Sequence, residues 1–596
     1  MKNKLFLIII LFINIVFSYF LMKLGNGLLF YLFVDFIVWV ILYFLYEFII
    51  NRKVILNKAL LVEYIVYYLL NFLCLLIIFM FFKIGFLKTK FLALLLITLL
   101  LFLQEKFNIV FLKKIFPYLF LLNIAIFFGL SSPMSPLGNK NSAIDSSVFR
   151  YIGTVMAEDK TPYVDVFDHK GILLYMINYF GIILNEKVGI WIIEIIMLFC
   201  SLVFSYKLAR LFTNKFNSII ATIISFIPLV YTFEGGNLTE EYAILFIMIS
   251  LYLFTRDLKK YNLIKLNSAF IIGTCLGAVL LLRPNMIAIW VCMAIYLLII
   301  YLKEKEYKEL FKIIGSFVSG IIVSITPFII YLVYNGAFND FINQYLLFNF
   351  KYSSRETANT LISTFNFFIE NCKYVYLVLF IYILKIIRDK NKNGLMCFYI
   401  ASLLLSFILI IMPKNLYAHY GMVIIPTFVV AFAIMFDHIY STGLNFLNNN
   451  SLKKIFILLL LYTITCNDIN TLIVNIDNKI LEYDYLIEIT KMVDENTNKY
   501  DSILIYGNQA SIYLKTGRRA SQKYIYQFPI INIDNDIRKD FVETINNNKP
   551  KLIVANKNQA VKIEDIISNF LEYYTKLDSN DYNYYFYKLE YDKEVS

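Results

Sequence analysis

The chain has 596 residues, of which 60% are hydrophobic, 18% aromatic and 16% charged. A soluble domain carries roughly 25% charged residues, so a soluble enzyme is excluded. The net charge of +12 is no nucleic-acid footprint: from residue 471 onward 16 Lys and Arg stand against 19 Asp and Glu. The basic excess therefore lies among the apolar runs, where Lys and Arg mark cytoplasmic loops. Seven cysteines are scattered singly and nearly all inside apolar runs, without the spacing of a disulfide framework or a zinc site.

In chain order, residues 5–22 are apolar behind a short basic start but lack a small-residue cleavage pattern, so they read as a first helix rather than a signal peptide. Runs at about 28–50, 60–82 and 90–104 follow, then one at about 115–130 that ends in a polar segment, 131–170. Each of these runs is of the length that crosses a hydrocarbon layer of about 30 Å. Five crossings from a cytoplasmic N-terminus place that polar segment outside. The next run, Gly171 to Leu184, is short and contains Asn178. If it dips into the interface without crossing, the cluster Lys207, Arg210 and Lys215 becomes cytoplasmic, as the positive-inside rule prefers. With that register Arg256-Asp-Leu-Lys-Lys, the lysines at 303–312, Arg388-Asp-Lys-Asn-Lys and Lys453-Lys454 fall inside. Glu234 to Glu241, Arg283-Pro-Asn, 335–370 and Lys414 to Tyr420 fall outside. The loop 83–90, with three lysines, is the exception.

The expected architecture is a polytopic α-helical membrane protein with about 15 spans. After a last helix near 453–467, polar residues interleave with short apolar strands such as Ser502-Ile-Leu-Ile-Tyr and Lys551-Leu-Ile-Val-Ala, flanked by helical-period stretches at 480–497, 536–548 and 559–575. That pattern predicts a small C-terminal extracytoplasmic α/β domain over 471–596. No tandem repeat, heptad array or Walker-type loop is present.

The densest polar set follows the fifth run: Asp145-Ser-Ser-Val-Phe-Arg-Tyr-Ile-Gly, then Thr161-Pro-Tyr-Val-Asp-Val-Phe-Asp-His-Lys-Gly. Ionisable groups at a membrane edge are costly unless used. Asp145, with Phe149 four residues on, is either a partly desolvated base or the cap of a juxtamembrane helix. Asp165, Asp168, His169 and Lys170 are either a site or a solvated loop. His169 alone makes no metal site, because His419 and His438 are assigned to opposite sides of the membrane.

The stretch from Asp145 through Tyr175 resembles the first extracytoplasmic loop of polytopic glycosyltransferases of the GT-C fold, the bacterial relatives of protein O-mannosyltransferases and aminoarabinose transferases among them. Asn237-Leu-Thr-Glu-Glu, Leu282-Arg-Pro-Asn, Ala418-His-Tyr-Gly-Met-Val-Ile-Ile-Pro, and Asp501-Ser-Ile-Leu-Ile-Tyr-Gly with Ile512-Tyr-Leu-Lys-Thr-Gly-Arg follow in the order of that family. The resemblance covers about 115–596, which makes 111–470 the catalytic membrane part, with a first outer loop at 131–187, and 1–110 an added N-terminal module.

The resemblance implies an inverting transfer of a sugar from a polyprenyl-phosphate donor to an envelope acceptor such as a polysaccharide, teichoic acid, glycolipid or protein. Asp145 would be the catalytic base, and Lys170, Arg283, His419 and Tyr420 would bind the donor phosphate. Arg150, Tyr163, Asp165, Asp168, His169, Glu240 and Glu241 would line the sugar and acceptor pocket. Plainer roles stay open: Lys170 and Arg283 as snorkelling anchors, Glu240 and Glu241 as acids at a helix N-terminus, Tyr420 as an interfacial tyrosine. No metal ligand is assigned, since Ser146 replaces the second acid of several relatives, and a divalent cation is left open. The rival classes are a transporter or lipid flippase for envelope precursors and an envelope assembly protein.

Overall fold

The structure, a computed structural model, describes residues 109–596 apart from 133, 137–143, 235, 354–358, 390–393, 444–452, 477–485, scattered positions from 454 to 473, and 560, 568–569, 579–582 and 591–596. The four runs expected before residue 105 and the loop 83–90 lie outside the described residues. The chain forms two compact units, 1–131 with 469–481, and 132–468 with 482–596. Helix α1 (Ile109–Gly129) is the main described element of the first.

The second unit opens with α2 (Ile144–Met156), α3 (Ile172–Leu184), α4 (Gly189–Ala209), α5 (Lys215–Phe226), α6 (Thr239–Tyr261), α7 (Leu266–Leu280), α8 (Ala288–Lys303) and α9 (Tyr307–Tyr334). Next comes α10, in which a π-helical stretch, Ile342–Leu347, separates Phe338–Phe341 from Phe348–Ser353. Helices α11 (Leu361–Asn371), α12 (Val375–Arg388), α13 (Gly394–Ile411), a 3-10 stretch (Ala418–Thr427) and α14 (Phe428–His438) complete the helical part.

Among the described residues five helical stretches are long and apolar enough to cross a membrane: Gly189–Ala209, Lys215–Thr232, Tyr307–Tyr334, Gly394–Ile411 and Ala418–Gly443. A sixth results if α11 and α12, bent by 81° at their junction, form one broken span. The chain is thus a helical membrane protein of several spans, but the described helices do not carry the expected number. Apolar runs counted as spans fold into pieces such as α7 and α8, of 15 and 16 residues, where about 20 are needed. At 13 residues, α3 is about 20 Å long, shorter than the hydrocarbon layer.

Helix packing relies on small residues that let backbones meet. A Cβ on Gly273 of α7 would lie 1.9 Å from the Phe317 carbonyl oxygen of α9, and one on Gly320 of α9 would lie 2.0 Å from that of Phe270. At the start of α6 a buried polar net fixes the chain. Asn178 and Asn237 exchange amide hydrogen bonds of 2.7 and 3.1 Å, and Glu194 accepts from the Asn237 amide (2.6 Å) and the Ser132 hydroxyl (2.9 Å).

The C-terminal part contains α15 (Leu486–Asn496), β1 (Ser502–Tyr506), α16 (Ser511–Thr516), β2 (Arg519–Ala520), α17 (Asn535–Asn547), β3 (Leu552–Asn556), β4 (Tyr574–Leu577) and β5 (Tyr584–Leu589). The sheet order is β2-β1-β3-β5-β4. Strands β1 to β3 are parallel, with Ile503 opposite Leu552, and β5 runs antiparallel to β3 and β4. The two strands read from the sequence are present. The helical period at 559–575 is not: apart from short turns at Ile563–Asp565 and Phe570–Tyr573, the chain enters β4 at Tyr574. Aromatic and β-branched residues fit a half-buried pleated surface, and pairing with β5 decides the outcome.

Candidate functional site

The Asp168-His169-Lys170-Gly171 segment is held from three directions. On the first side it is tied to the end of α7. That helix stops at Leu280 before Arg283-Pro284, which leaves late carbonyls without the amides of a further turn. The Leu282 carbonyl accepts from the Gly171 amide (3.2 Å) and that of Leu281 from the Leu173 amide (3.1 Å). A Cβ on residue 171 would fall 1.9 Å from the Leu281 oxygen, so only glycine allows this approach. On the second side, α10 supplies Asn349, whose side chain donates to the His169 carbonyl (2.7 Å), and Tyr352, whose ring stacks on the imidazole at 5.0 Å.

The third side is the C-terminal α/β part. The Phe167 amide donates to the Lys523 carbonyl (2.9 Å), the Tyr151 hydroxyl accepts from the Ala520 amide (2.8 Å), and the Tyr151 and Tyr513 rings lie 5.1 Å apart. Asp168, only 2% exposed, accepts from the hydroxyls of Tyr526 (2.7 Å) and Tyr175 (2.8 Å) and from the His169 amide (2.8 Å). Its carboxylate is committed to positioning this segment. Burial first, then the charge of Asp168, raises the Tyr526 hydroxyl well above its usual value, so it stays protonated.

The opposite wall is made by helix ends. Arg283 pairs with Glu240 in the first turn of α6 and lies 4.0 Å above the Tyr420 ring. Glu240 also accepts from the Thr239 hydroxyl (2.7 Å). His419 pairs through Nδ1 with Glu234, which further accepts from the Ala418 amide (2.9 Å). Burial alone would raise the Glu234 carboxyl, but the hydrogen bond and charge of His419 together with backbone amides outweigh it and hold the group below its usual value.

These walls enclose one cavity of about 500 Å³. It brings together Asp145, Asp168, His169, Lys170, Arg283, His419 and Tyr420, seven of the residues singled out in the sequence. Asp145 stands in the first turn of α2, where a carboxylate suits the positive end of the helix dipole. It is exposed rather than desolvated against Phe149, which is itself buried. The Lys170 ammonium lies 5.9 Å from the centre of the Phe149 ring.

Five residues expected in the pocket do not line this cavity. Arg150 turns to the Glu186 carbonyl (3.2 Å). Tyr163, with a left-handed φ of 72°, is buried and donates to the Lys170 carbonyl (2.8 Å), supporting the segment from behind. Asp165 accepts from the Thr161 amide (2.8 Å) and faces Lys160 at 3.5 Å, closing a surface turn. Glu240 stands behind Arg283, and Glu241 is buried with neither carboxylate oxygen bonded to a side chain.

Several contributors escaped the sequence reading. Tyr345, Asn349 and Tyr352 of α10, Asn415 and Tyr417, and Asn508 and Tyr526 all line the cavity. Among the described residues no group of three His, Cys, Asp or Glu side chains gathers to hold a metal ion.

The architecture matches solved structures of low sequence identity. The crystal structure of ArnT from Cupriavidus metallidurans bound to undecaprenyl phosphate superposes with a TM-score of 0.56 at 10% identity, covering 79% of this chain and 98% of that one. Its apo form gives 0.51 at 11%, covering 78% and 97%. At such identities the likeness concerns the fold alone. No curated protein matches in sequence. A family model described as "Putative competence-induced protein Ccs4 N-terminal domain" matches residues 113–454. That span is more than half of the 596 residues, and the chain belongs to this Ccs4 N-terminal-domain family.

Proposed function

We propose that the protein is an integral membrane glycosyltransferase that moves a sugar, with inversion, from a polyprenyl-phosphate donor to an envelope acceptor on the extracytoplasmic side of a bacterial cytoplasmic membrane. The observation that carries this reading is that Asp145, Lys170 and Arg283 border one cavity of about 500 Å³. The segments of the helical part that line it, 144–149, 168–170, 283–285, 345–352 and 409–420, belong with one exception to those the charge rule assigns to the outer side, which supports that sidedness. The exception is the end of α13. The match in fold to ArnT, whose structure holds undecaprenyl phosphate, supports a lipid-phosphate carrier.

In the proposed reaction the Asp145 carboxylate takes the proton of an acceptor hydroxyl as its oxygen attacks the anomeric carbon. The bond from that carbon to the phosphate oxygen breaks on the opposite face, and the electron pair leaves on the polyprenyl phosphate. The leaving group is already an anion stabiliser, so a second carboxylic acid of the glycosidase type is not required. Lys170 and Arg283 face the departing phosphate, with Arg283 sharing its charge with Glu240. Leu346, Phe350, Leu409 and Met412 give the cavity an apolar side suited to a prenyl chain.

A transporter would place ionisable groups in the middle of spans. The buried carboxylates Glu194, Glu240 and Glu241 instead stand near the N-terminal ends of α4 and α6, which favours the enzyme over the transporter or flippase. Reconstituted protein is expected to consume a polyprenyl-phosphate sugar and form a new glycosidic bond, and Asp145→Asn to slow this by roughly 10²–10⁴-fold with insertion unchanged. Full activity of that variant sinks the mechanism, and vectorial flux across vesicles without a new bond favours the transporter.

A further inference from the structure

The lysine and the arginine that border the cavity, Lys170 and Arg283, have unlike partners. Arg283 is ion-paired with Glu240. Among the described residues no carboxylate pairs with Lys170; its ammonium contacts Nε2 of His169 at 2.9 Å. An ammonium has only protons to offer, so Nε2 must present its lone pair. The imidazole proton then sits on Nδ1, which lies 3.0 Å from the Tyr526 hydroxyl. That hydroxyl spends its own proton on Asp168 at 2.7 Å, so its oxygen is free to accept from Nδ1. Only one assignment of donors and acceptors satisfies all three contacts: Lys170 to His169, His169 to Tyr526, Tyr526 to Asp168. A doubly protonated ring would turn an N–H toward the ammonium.

We propose that Tyr526, supplied by the C-terminal α/β part, is a positioning residue for the donor-phosphate site: it holds His169 as a neutral acceptor and so presents the Lys170 ammonium, with its charge uncompensated, to the phosphate of a polyprenyl carrier. The chain of contacts ends on a buried carboxylate two residues away in sequence from Lys170, and the charge of Asp168 is absorbed by the hydroxyls of Tyr526 and Tyr175 and by an amide instead of by the lysine. Tyr526 reaches the site because Arg519, Ala520 and Lys523 dock the preceding segment on α2 and the 158–167 region: Arg519 pairs with Glu158, Ala520 bonds Tyr151, and Lys523 bonds Phe167. Docking of the α/β part and competence of the phosphate site are thereby one event.

This inference rests on the glycosyltransferase reading for the identity of the anion, and its test is a binding measurement that stands apart from turnover. The affinity of the full-length protein in lipid nanodiscs for undecaprenyl phosphate is measured for the wild type and variants. Tyr526→Phe is expected to weaken binding roughly fivefold, the loss of one hydrogen bond, and to raise KM for the donor while kcat changes less than twofold. In the background of Lys170→Ala the same substitution is expected to add nothing, because both act through one ammonium. His169→Gln, whose amide can still accept from Lys170 and donate to Tyr526, is expected to retain more affinity than His169→Leu. Unchanged affinity of Tyr526→Phe, or losses that multiply with Lys170→Ala, overturns the proposal even if the wild type transfers sugar. Tyr526-dependent binding in a protein that transfers no sugar upholds it while the enzyme reading falls.

Discussion

The two walls of the cavity solve the same problem in different ways. On the helical wall each basic side chain carries its own acid: Arg283 with Glu240, His419 with Glu234. On the loop wall Lys170 leans on an imidazole, and the nearest acid of that network, Asp168, is saturated by hydroxyls and an amide. A paired guanidinium at the edge of a buried scaffold chiefly holds the scaffold, because removing one partner strands the other charge. An ammonium paired with a neutral ring costs little to the fold and keeps its full charge for a ligand. The comparison therefore separates a cation whose charge is shared with the scaffold from one whose charge is left to a ligand, although both border one space.

The largest expected effect tests the helical wall. Arg283→Ala leaves the buried Glu240 unpaired and should destabilise the protein by roughly 3–5 kcal/mol, read as thermal unfolding in detergent; adding Glu240→Gln should recover most of that loss. If Arg283→Ala unfolds like the wild type, the pair is not structural and the contrast collapses. Next, Gly171→Ala drives a Cβ toward the Leu281 carbonyl, where the separation would be 1.9 Å. A cost of roughly 1–3 kcal/mol is expected, together with loss of donor binding, because the segment carrying Lys170 must move.

Lys170→Ala is the complementary test on the loop wall. Its unfolding temperature should match the wild type, while affinity for undecaprenyl phosphate falls roughly tenfold or more, the scale of a charge-assisted hydrogen bond. The smallest effect concerns Glu234. Its carboxyl is held below its usual value in the folded protein, so the stabilisation is complete above the unfolded value of roughly 4.3 and is lost as pH falls through the folded value. Glu234→Gln should therefore lose less stability than the wild type as pH falls below roughly 4.3 in thermal unfolding, and equal slopes in that range would contradict the assignment.

How much of this was legible in the sequence follows from how each piece is built. Asp145, Asp168 to Lys170, Arg283 and His419-Tyr420 stand where apolar runs give way to polar residues, and that local contrast marks them. Their convergence is what the charge rule leads one to expect, since it assigns every one of them to an outer segment. Tyr526 carries no such mark: it is one of 46 tyrosines and gains its role only when the segment after β2 docks against Tyr151 and Phe167. Tyr345 and Asn349 are hidden for a similar reason, in a helix whose π-helical stretch sets the register of its side chains. Arg150, Tyr163 and Asp165 failed in the opposite direction. Proximity in sequence to Asp145 and Lys170 suggested the pocket, but the helix and turn geometry aims them at Glu186, at the back of the Lys170 segment and at Thr161.

The most direct test is a cryo-EM structure of the full-length protein with undecaprenyl phosphate. The phosphate is expected inside the cavity that Asp145 borders, with an oxygen about 2.8 Å from the Lys170 ammonium and the prenyl chain along Leu346, Phe350 and Met412. A phosphate bound outside that cavity, or one that rests on other groups with Lys170 turned away, would contradict the account.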